Sequence, residues 1–392
     1  MDLMRSNPHG HLNSKFIAFC AESGEWFDIG LYEVKTGNIE WLTSSIGDDM
    51  SPCWSVDGKR ISWVHAEGAA NSLMVWERGV PVKRYQVSAG IHSNPRFTPK
   101  SEILMLFENP SQPPDLWRLN LDGTFEQLTN SLPEEFRTAK FILPEEVFYE
   151  SNAVAVPALL FRGTGDCAVV DVHGGPNWHV QFLWDPIVAH MASRGWTVLL
   201  PNYRGSTGYG RAWQNANRYD MGGVDTRDCA AGVSFLKKEG LAKKFAVTGR
   251  SHGGYLTMTC LTQFPKLWCG GSAVVPFMNW FKSHEESRED LQHWNIENMG
   301  DPKENYERWY NASPFFFLDR VNAPVQLICG GNDPRCPAVN SLDARDKLVE
   351  LGKDVELFLY EDEGHSFLKI ENVIDAEMRR VEFLARVLGE GR

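Results

Sequence analysis

Lys244-Phe-Ala-Val-Thr-Gly-Arg-Ser251-His-Gly-Gly-Tyr255 is the most informative stretch of this chain. Phe245, Ala246 and Val247 form a short apolar run that predicts a buried strand. Tyr255 to Phe264, carrying Leu256, Met258 and Leu261, predicts a helix. Between them, Gly249-Arg250-Ser251-His252-Gly253 matches Gly-x-Ser-x-Gly. A serine at so sharp a strand-to-helix corner is held in strained backbone geometry, and the flanking glycines leave room for the turn and for a substrate above it. The helix that starts there aims unpaired backbone N–H groups and its positive dipole end at an anion forming near Ser251. A glycine-rich turn with a spectator serine would give the same letters, so the weight lies in the placement between strand and helix.

Around this corner, strands and helices alternate from Cys167 onward. The predicted strands are Ala168–Val172, Thr197–Pro201, Phe245–Thr248, Ser272–Val275, Val325–Cys329 and Val355–Tyr360. Helices are predicted near Pro186–Arg194, Asp225–Glu239, Tyr255–Phe264, Ala338–Leu351 and Ile374–Leu388, with Gly195, Gly240 and Gly352 as stop signals. This is the α/β pattern of a doubly wound, mostly parallel sheet covered on both faces, whose chemistry belongs beyond the carboxyl ends of the strands.

The motifs fall at those ends. Val325–Cys329 runs into Gly330-Gly-Asn-Asp333-Pro-Arg335, and Val355–Tyr360 runs into Glu361-Asp-Glu-Gly-His365. Ser251, Asp333 and His365 therefore each follow a strand, in the chain order of the α/β-hydrolase triad. His365 would take the proton of Ser251, while Asp333 fixes the imidazole tautomer and supports the imidazolium. A single histidine or a single aspartate in such a turn is ordinarily a surface or capping group. Three in order on the right strand ends are not. His173-Gly-Gly-Pro176 follows Ala168–Val172, and there the backbone N–H of Gly175 joins that of His252 as a candidate oxyanion hole. His173 itself is read as structural, because the triad already has its base.

Gly-Arg-Ser251-His-Gly-Gly-Tyr, His173-Gly-Gly-Pro, Asn202-Tyr-Arg-Gly-Ser-Thr-Gly-Tyr-Gly210, Gly-Asn-Asp333-Pro-Arg-Cys-Pro337 and Glu-Gly-His365-Ser-Phe367 together resemble the prolyl oligopeptidase family. The acylaminoacyl-peptidase and dipeptidyl-peptidase branch is the nearest. The resemblance covers residues 140–390. It implies a serine peptidase for short peptides, often with a blocked or particular N-terminus, screened by a β-propeller and needing no cofactor or metal. It also implies that Arg335 holds a substrate carbonyl or carboxylate, a task suited to a planar five-donor guanidinium. A solvated surface arginine is the alternative.

The first third departs from that family. Ser51-Pro-Cys-Trp-Ser-Val-Asp-Gly-Lys-Arg-Ile-Ser-Trp63 aligns with Asn94-Pro-Arg-Phe-Thr-Pro-Lys-Ser-Glu-Ile-Leu-Met-Leu106, Trp54 matching Phe97, and with Asn13-Ser-Lys-Phe-Ile-Ala-Phe19, Ile17 matching Ile61. A step of about 40–45 residues with several short strands per unit marks propeller blades. Only about three blades fit, fewer than the roughly four to eight that close a ring. An open arc, a truncated ring and two copies completing each other as a homo-oligomer all satisfy the pattern. The domains are read as a propeller-like 1–135 and an α/β-hydrolase catalytic 136–392.

At 392 residues the chain is long enough for two cores, and 43% hydrophobic with 23% charged residues describes a folded protein. A formal net charge of −12 argues against nucleic acid or an anionic membrane as partner. Met1 to Asn13 hold no apolar h-region, and the 8 cysteines form no C-x-x-C pair, which points to a reduced, cytoplasmic setting.

Specificity is written less clearly. Phe277 to Phe317, an insertion with Trp280, Phe281, Trp294, Trp309, Tyr310 and Phe315, would wall an apolar acyl or P1 pocket, with Phe277 and Trp280 as substrate-binding candidates. The alternative is a helical cap packing its own small core. The run His284-Glu-Glu-Ser-Arg-Glu-Asp reads as a solvated helix face without metal-ligand spacing. Cys336 is read as lining the site rather than as a nucleophile. The chain is thus expected to be a serine hydrolase taking a short peptide or small acyl substrate. A carboxylesterase is the second reading, and a binding protein with a vestigial hydrolase domain a remote third.

Overall fold

Alternating burial builds the first third of the chain. In a computed structural model, which describes residues 9–10 and 15–390, this part forms three successive four-stranded antiparallel sheets. Most of the Met1–Asn13 stretch lies outside the described residues. The first sheet is His9–Gly10, Phe16–Glu22, Phe27–Glu33 and Ile39–Trp41 (β1–β4). The second is Asp48–Trp54, Arg60–Glu67, Ala70–Glu77 and Val80–Tyr85 (β5–β8). The third is Ile91–Phe97, Ile103–Asn109, Gln112–Leu119 and Phe125–Gln127 (β9–β12). Within β10, Ile103, Met105 and Phe107 point inward while their neighbours are half-buried, the two-residue period of a pleated strand. Ile29 and Leu31 of the first sheet share one core with Ile61 and Trp63 of the second. Leu73 of the second shares another with Ile103, Met105 and Leu119 of the third. The repeat read from Trp54/Phe97 and Ile17/Ile61 thus corresponds to three blade-like sheets.

The chain divides into two compact units, the first running to Leu143 and including Gln181–Pro186 and Thr207–Trp213. The division falls beyond residue 135 because Glu134–Phe136 is a 3-10 turn and regular structure resumes only at Glu145. The two later segments bond within the first unit, Phe182 N–H to Ala69 C=O at 2.8 Å and Arg211 N–H to Glu25 C=O at 2.9 Å.

The second unit carries an eight-stranded sheet of Glu145–Ser151, Val154–Phe161, Cys167–Val172, Thr197–Pro201, Lys244–Arg250, Gly270–Val274, Val325–Gly330 and Val355–Tyr360 (β13–β20). Their order is β13-β14-β16-β15-β17-β18-β19-β20. β13, β14 and β16 pair antiparallel, and every pairing from β16 to β20 is parallel. Every residue of β18 and β19 is buried, as expected for parallel strands covered on both faces. The chain leaves β15 for β16 on one side and returns to β17 on the other. The carboxyl end of β15 is therefore the point where the winding reverses, the place such sheets open a crevice.

The helices are Pro186–Ser193, Arg211–Gln214, Val224–Lys238, His252–Gln263, Trp280–Glu286, Glu289–Met299, Tyr306–Ala312, Val339–Glu350 and Ile370–Leu388 (α1–α9). Two start earlier than the sequence periodicity indicates. α4 begins at His252 rather than Tyr255, because its first turn closes directly on the serine, with Tyr255 N–H donating to Ser251 C=O at 2.9 Å. α9 begins at Ile370 rather than Ile374, directly after the histidine loop. β18 ends at Val274 and not at Val275, whose φ of 43° takes it out of the strand region.

Two adjacent glycines of β18 show how closely the layers approach. Successive strand residues face opposite sides of a sheet. A Cβ on Gly270 would lie 2.7 Å from Val387 of α9, and one on Gly271 would lie 2.7 Å from Leu261 of α4. The two helices therefore cover opposite faces, each seated where a side chain is missing. Gly270→Ala is expected to cost roughly 1–3 kcal/mol through overpacking. In denaturant titrations, Gly270→Ala/Val387→Ala should lose less than the sum of the two single changes. Strict additivity would mean that the contact does not limit packing.

Candidate active site

Ser251 sits between β17 and α4 with φ 60° and ψ −121°, outside the regions an L-residue ordinarily occupies. Strain of this kind costs about 1–3 kcal/mol and persists only where neighbours hold it. Here Ser251 N–H donates to Val274 C=O of β18 at 2.9 Å. On the other side the elbow presses against β15, where a Cβ on Gly253 would stand 1.9 Å from Val172 O. The glycine of the motif is thus required by the adjacent strand.

His365 Nε2 lies 2.9 Å from Ser251 Oγ, and His365 Nδ1 lies 2.8 Å from Asp333 Oδ2. A carboxylate only accepts, so Nδ1 carries the proton and Nε2 is left to receive that of the serine. Asp333 is buried, and its Oδ1 accepts the backbone N–H groups of Arg335 at 2.8 Å and Cys336 at 2.9 Å. Those two bonds fix the carboxylate plane, and with it the imidazole. Such a line of groups can remove a proton from a nucleophilic hydroxyl and return it to a leaving group.

The histidine loop has its own fastenings, which sequence patterns did not reveal. Arg250, the residue before the serine, donates to His365 C=O at 3.3 Å, lies over the Phe367 ring at 5.7 Å and pairs with Glu377 of α9 at 3.3 Å. Arg380 extends the cluster to Asp171 at 2.8 Å and to Thr248 Oγ1 at 2.8 Å. On the far side of the loop, buried Glu363 accepts the N–H groups of Leu368 at 2.7 Å and Lys369 at 3.0 Å. No motif marks these residues, because partners such as Arg250 and Glu377, 127 positions apart, or Thr248 and Arg380, 132 apart, are distant in the chain.

Gly175 and His252 line the same cavity as Ser251, which measures about 270 Å³. As the first residue of α4, His252 has a backbone N–H that the helix leaves unused. Its ring is buried, 3.4 Å from Asp225 Oδ2. Gly175 has φ 126°, a region that favours glycine. The Asn202-Tyr-Arg segment holds this loop. Asn202 accepts from Val180 N–H at 2.7 Å, Tyr203 donates to His173 C=O at 2.9 Å, and Arg204 Nε meets Asp228 at 2.9 Å. His173 stacks on Tyr203 with ring centroids 4.3 Å apart and bonds Gly174 O and Ser206 Oγ. These bonds account for its ring without the triad.

Phe277, Trp280, Arg335 and Cys336 also line the cavity, with Trp294 and Leu291. The other aromatics of the insertion do not. Phe281 packs on Trp309 at 5.7 Å, and Tyr310 stacks on Phe316 at 4.4 Å. The insertion is therefore both a cap with its own core and a cavity wall, and different residues serve each. The charged run His284–Asp290 is not one solvated helix face. Ser287 is extended, at φ −81° and ψ 159°, and separates α5 from α6, so Ser287, Arg288 and Asp290 turn to the cavity. Asp333, Cys336 and His365 bring potential metal-ligand atoms within 4.8 Å of one another. Burial pushes the Cys336 thiol up, Asp333 and His365 already bond each other, and both facts oppose ligation there.

A mixed, mostly parallel sheet with a strained serine elbow and a Ser-His-Asp line defines an α/β-hydrolase unit, here preceded by propeller-like sheets. Residues 180–391 match the prolyl oligopeptidase family, and the chain belongs to that family. It is 33% identical over 230 residues to dipeptidyl peptidase family member 6 of Caenorhabditis elegans, covering 56% of this chain and 31% of that protein. It is 29% identical over 231 residues to the acylamino-acid-releasing enzyme of Rattus norvegicus, again 56% of this chain and 31% of the relative. The chain thus spans about a third of the length of these curated relatives. The structure of a Mycobacterium tuberculosis puromycin-hydrolyzing peptidase superposes with a TM-score of 0.88 at 23% identity, covering 96% of this chain and 60% of that one. Among the described residues, no helix is long and apolar enough to cross a membrane.

Burial holds His173 down to about 3 and His179 down to about 4, against an unfolded value near 6.5. The unfolded chain therefore binds protons that the folded chain refuses. Stability present above pH 6.5 is lost as pH falls toward the folded values, by up to about 1.4 kcal/mol per pH unit for each histidine. Unfolding free energy should fall between pH 6.5 and 5, and His173→Gln should make that slope shallower whatever its effect at pH 7. An unchanged slope would remove His173 from the acid response.

Proposed function

We propose that this chain is a serine hydrolase that cleaves short peptides or acyl-amino acid amides through an acyl-enzyme. The observation that carries this reading is the hydrogen-bonded line Ser251–His365–Asp333, at 2.9 Å and 2.8 Å, opening on a cavity. Ser251 Oγ attacks the substrate carbonyl while His365 Nε2 takes its proton. The oxyanion is met by the backbone N–H groups of His252 and Gly175, and the dipole of α4 adds to them. His365 then protonates the leaving amine, and a water molecule repeats the sequence on the acyl-enzyme. Arg335, exposed at the cavity, anchors a substrate carbonyl or carboxylate. The family relationship supports a peptide substrate. The 8 cysteines, none of them in a disulfide, support a reducing compartment such as the cytoplasm.

A carboxylesterase is the second reading, since the same groups cleave esters more readily than amides. Purified protein should be assayed on an acylated amino-acid anilide, a free-N-terminus dipeptide anilide and a short nitrophenyl ester. Ser251→Ala should lower turnover of each by at least about 10³-fold with folding intact. Anilide cleavage supports the peptidase, and ester cleavage alone supports the esterase. Turnover retained in Ser251→Ala would overturn both. Arg335→Ala should reduce kcat/KM on the peptide anilide by about 10- to 100-fold and on the acetyl ester far less. Equal losses would remove the anchoring role.

A further inference from the structure

We infer that the cavity beside Ser251 takes a P1 side chain that is a flat ring ending in a neutral hydroxyl, so that tyrosine is cleaved after in preference to phenylalanine. This rests on the hydrolase reading above. Phe277, Trp280 and Trp294 contribute ring surfaces to the cavity, and Leu291 adds an aliphatic one. Flat walls favour a flat guest, through ring packing as well as burial of apolar area. An apolar slot of this kind would by itself prefer phenylalanine.

Asn295 changes that preference. It lies on α6, lines the cavity and is only 7% exposed. Its side-chain amide has no hydrogen-bond partner among the described residues. The other polar groups of the cavity differ. Ser283 Oγ reaches Asn340 Oδ1 at 3.4 Å, Ser287 Oγ donates to Ser283 C=O, and Arg288 pairs with Asp290 at 2.9 Å. The neighbouring Asn298 of the same helix donates to Trp294 C=O at 2.8 Å. Trp280 Nε1 is unpaired as well but closed off from solvent, so Asn295 is the unpaired polar side chain on α6 that a guest in this cavity can still reach.

A buried amide left unpaired costs about 1–3 kcal/mol. A guest without a polar tip strands that amide or traps a water against its ring. A phenol hydroxyl both donates and accepts, as the amide does, and removes the penalty. Sites that hydrogen-bond a substrate hydroxyl therefore discriminate strongly against the analogue lacking it. Charge argues for a neutral tip: the Asp290 carboxylate is already held by Arg288, which leaves no free anion for a lysine or arginine side chain.

The test compares kcat/KM on N-acetyl-tyrosine, N-acetyl-phenylalanine and N-acetyl-lysine anilides for the wild-type chain, Asn295→Leu and Asn295→Ser. The wild type should favour tyrosine over phenylalanine by at least about tenfold, with lysine last. Asn295→Leu should bring the tyrosine-to-phenylalanine ratio near one, chiefly through a loss of tyrosine turnover. Asn295→Ser, with a shorter polar group, covers the case in which leucine impairs folding, and should give an intermediate ratio. A wild-type ratio at or below one, or a ratio unchanged in both variants, overturns the pocket assignment while leaving the hydrolase reading intact. Absence of Ser251-dependent turnover on every anilide and ester overturns both.

Discussion

The backbone of Ser251 cannot relax to an ordinary conformation without losing the site, and most of the second unit is arranged so that it does not. With φ 60° and ψ −121°, the residue is held from one side by Val274 C=O and from the other by Val172 of β15, against which only a glycine fits at position 253. Both restraints come from strands flanking β17 in the sheet order. Strand order thus places β15, whose loop carries Gly175, and β18, which leads to Phe277, on either side of Ser251. Val275, with φ 43° for a β-branched residue, is a second strained point at that corner.

The histidine is positioned by a different set of forces. Asp333 orients its ring, but the loop that carries it is tied by Arg250 to the serine corner and by Glu363 to the start of α9. Arg250, Glu377, Arg380 and Asp171 form a partly buried ion cluster beneath the sheet ends. Removing one member of such a cluster leaves charge without compensation, so its value lies in geometry more than in net stability. The cluster joins β15, β17 and α9 through side chains and reaches the histidine loop through the His365 carbonyl.

The insertion between β18 and β19 serves two purposes at once. Its inner aromatics pack ring on ring, Phe281 against Trp309 and Phe316, and Tyr310 against Phe316, and give the cap its own core. Its cavity-facing residues include Trp280 and Trp294, and Trp280 stands on that core against Trp309. On the proposed reading, flat walls beside an unpaired amide would select by hydrogen bonding as well as by size.

Much of this was legible in the residue order. Alternating apolar runs and stop glycines marked the sheet and its helices, the repeat marked three blade-like sheets, and Ser251, Asp333 and His365 stood out because each follows a strand in a short local motif. These features depend on neighbours within a few residues, so the order of residues carries them. The rest depends on contacts between distant positions. Arg250 finds the His365 carbonyl across 115 positions, Glu363 is tied down by a loop that local patterns do not announce, and the charged run at 284–290 breaks into two helices that turn Arg288 and Asp290 to the cavity. Asn295 looks like any polar residue on a helix until packing encloses it and gives it no partner. Burial and long-range pairing arise only when the layers close, and so they were readable only in the folded chain.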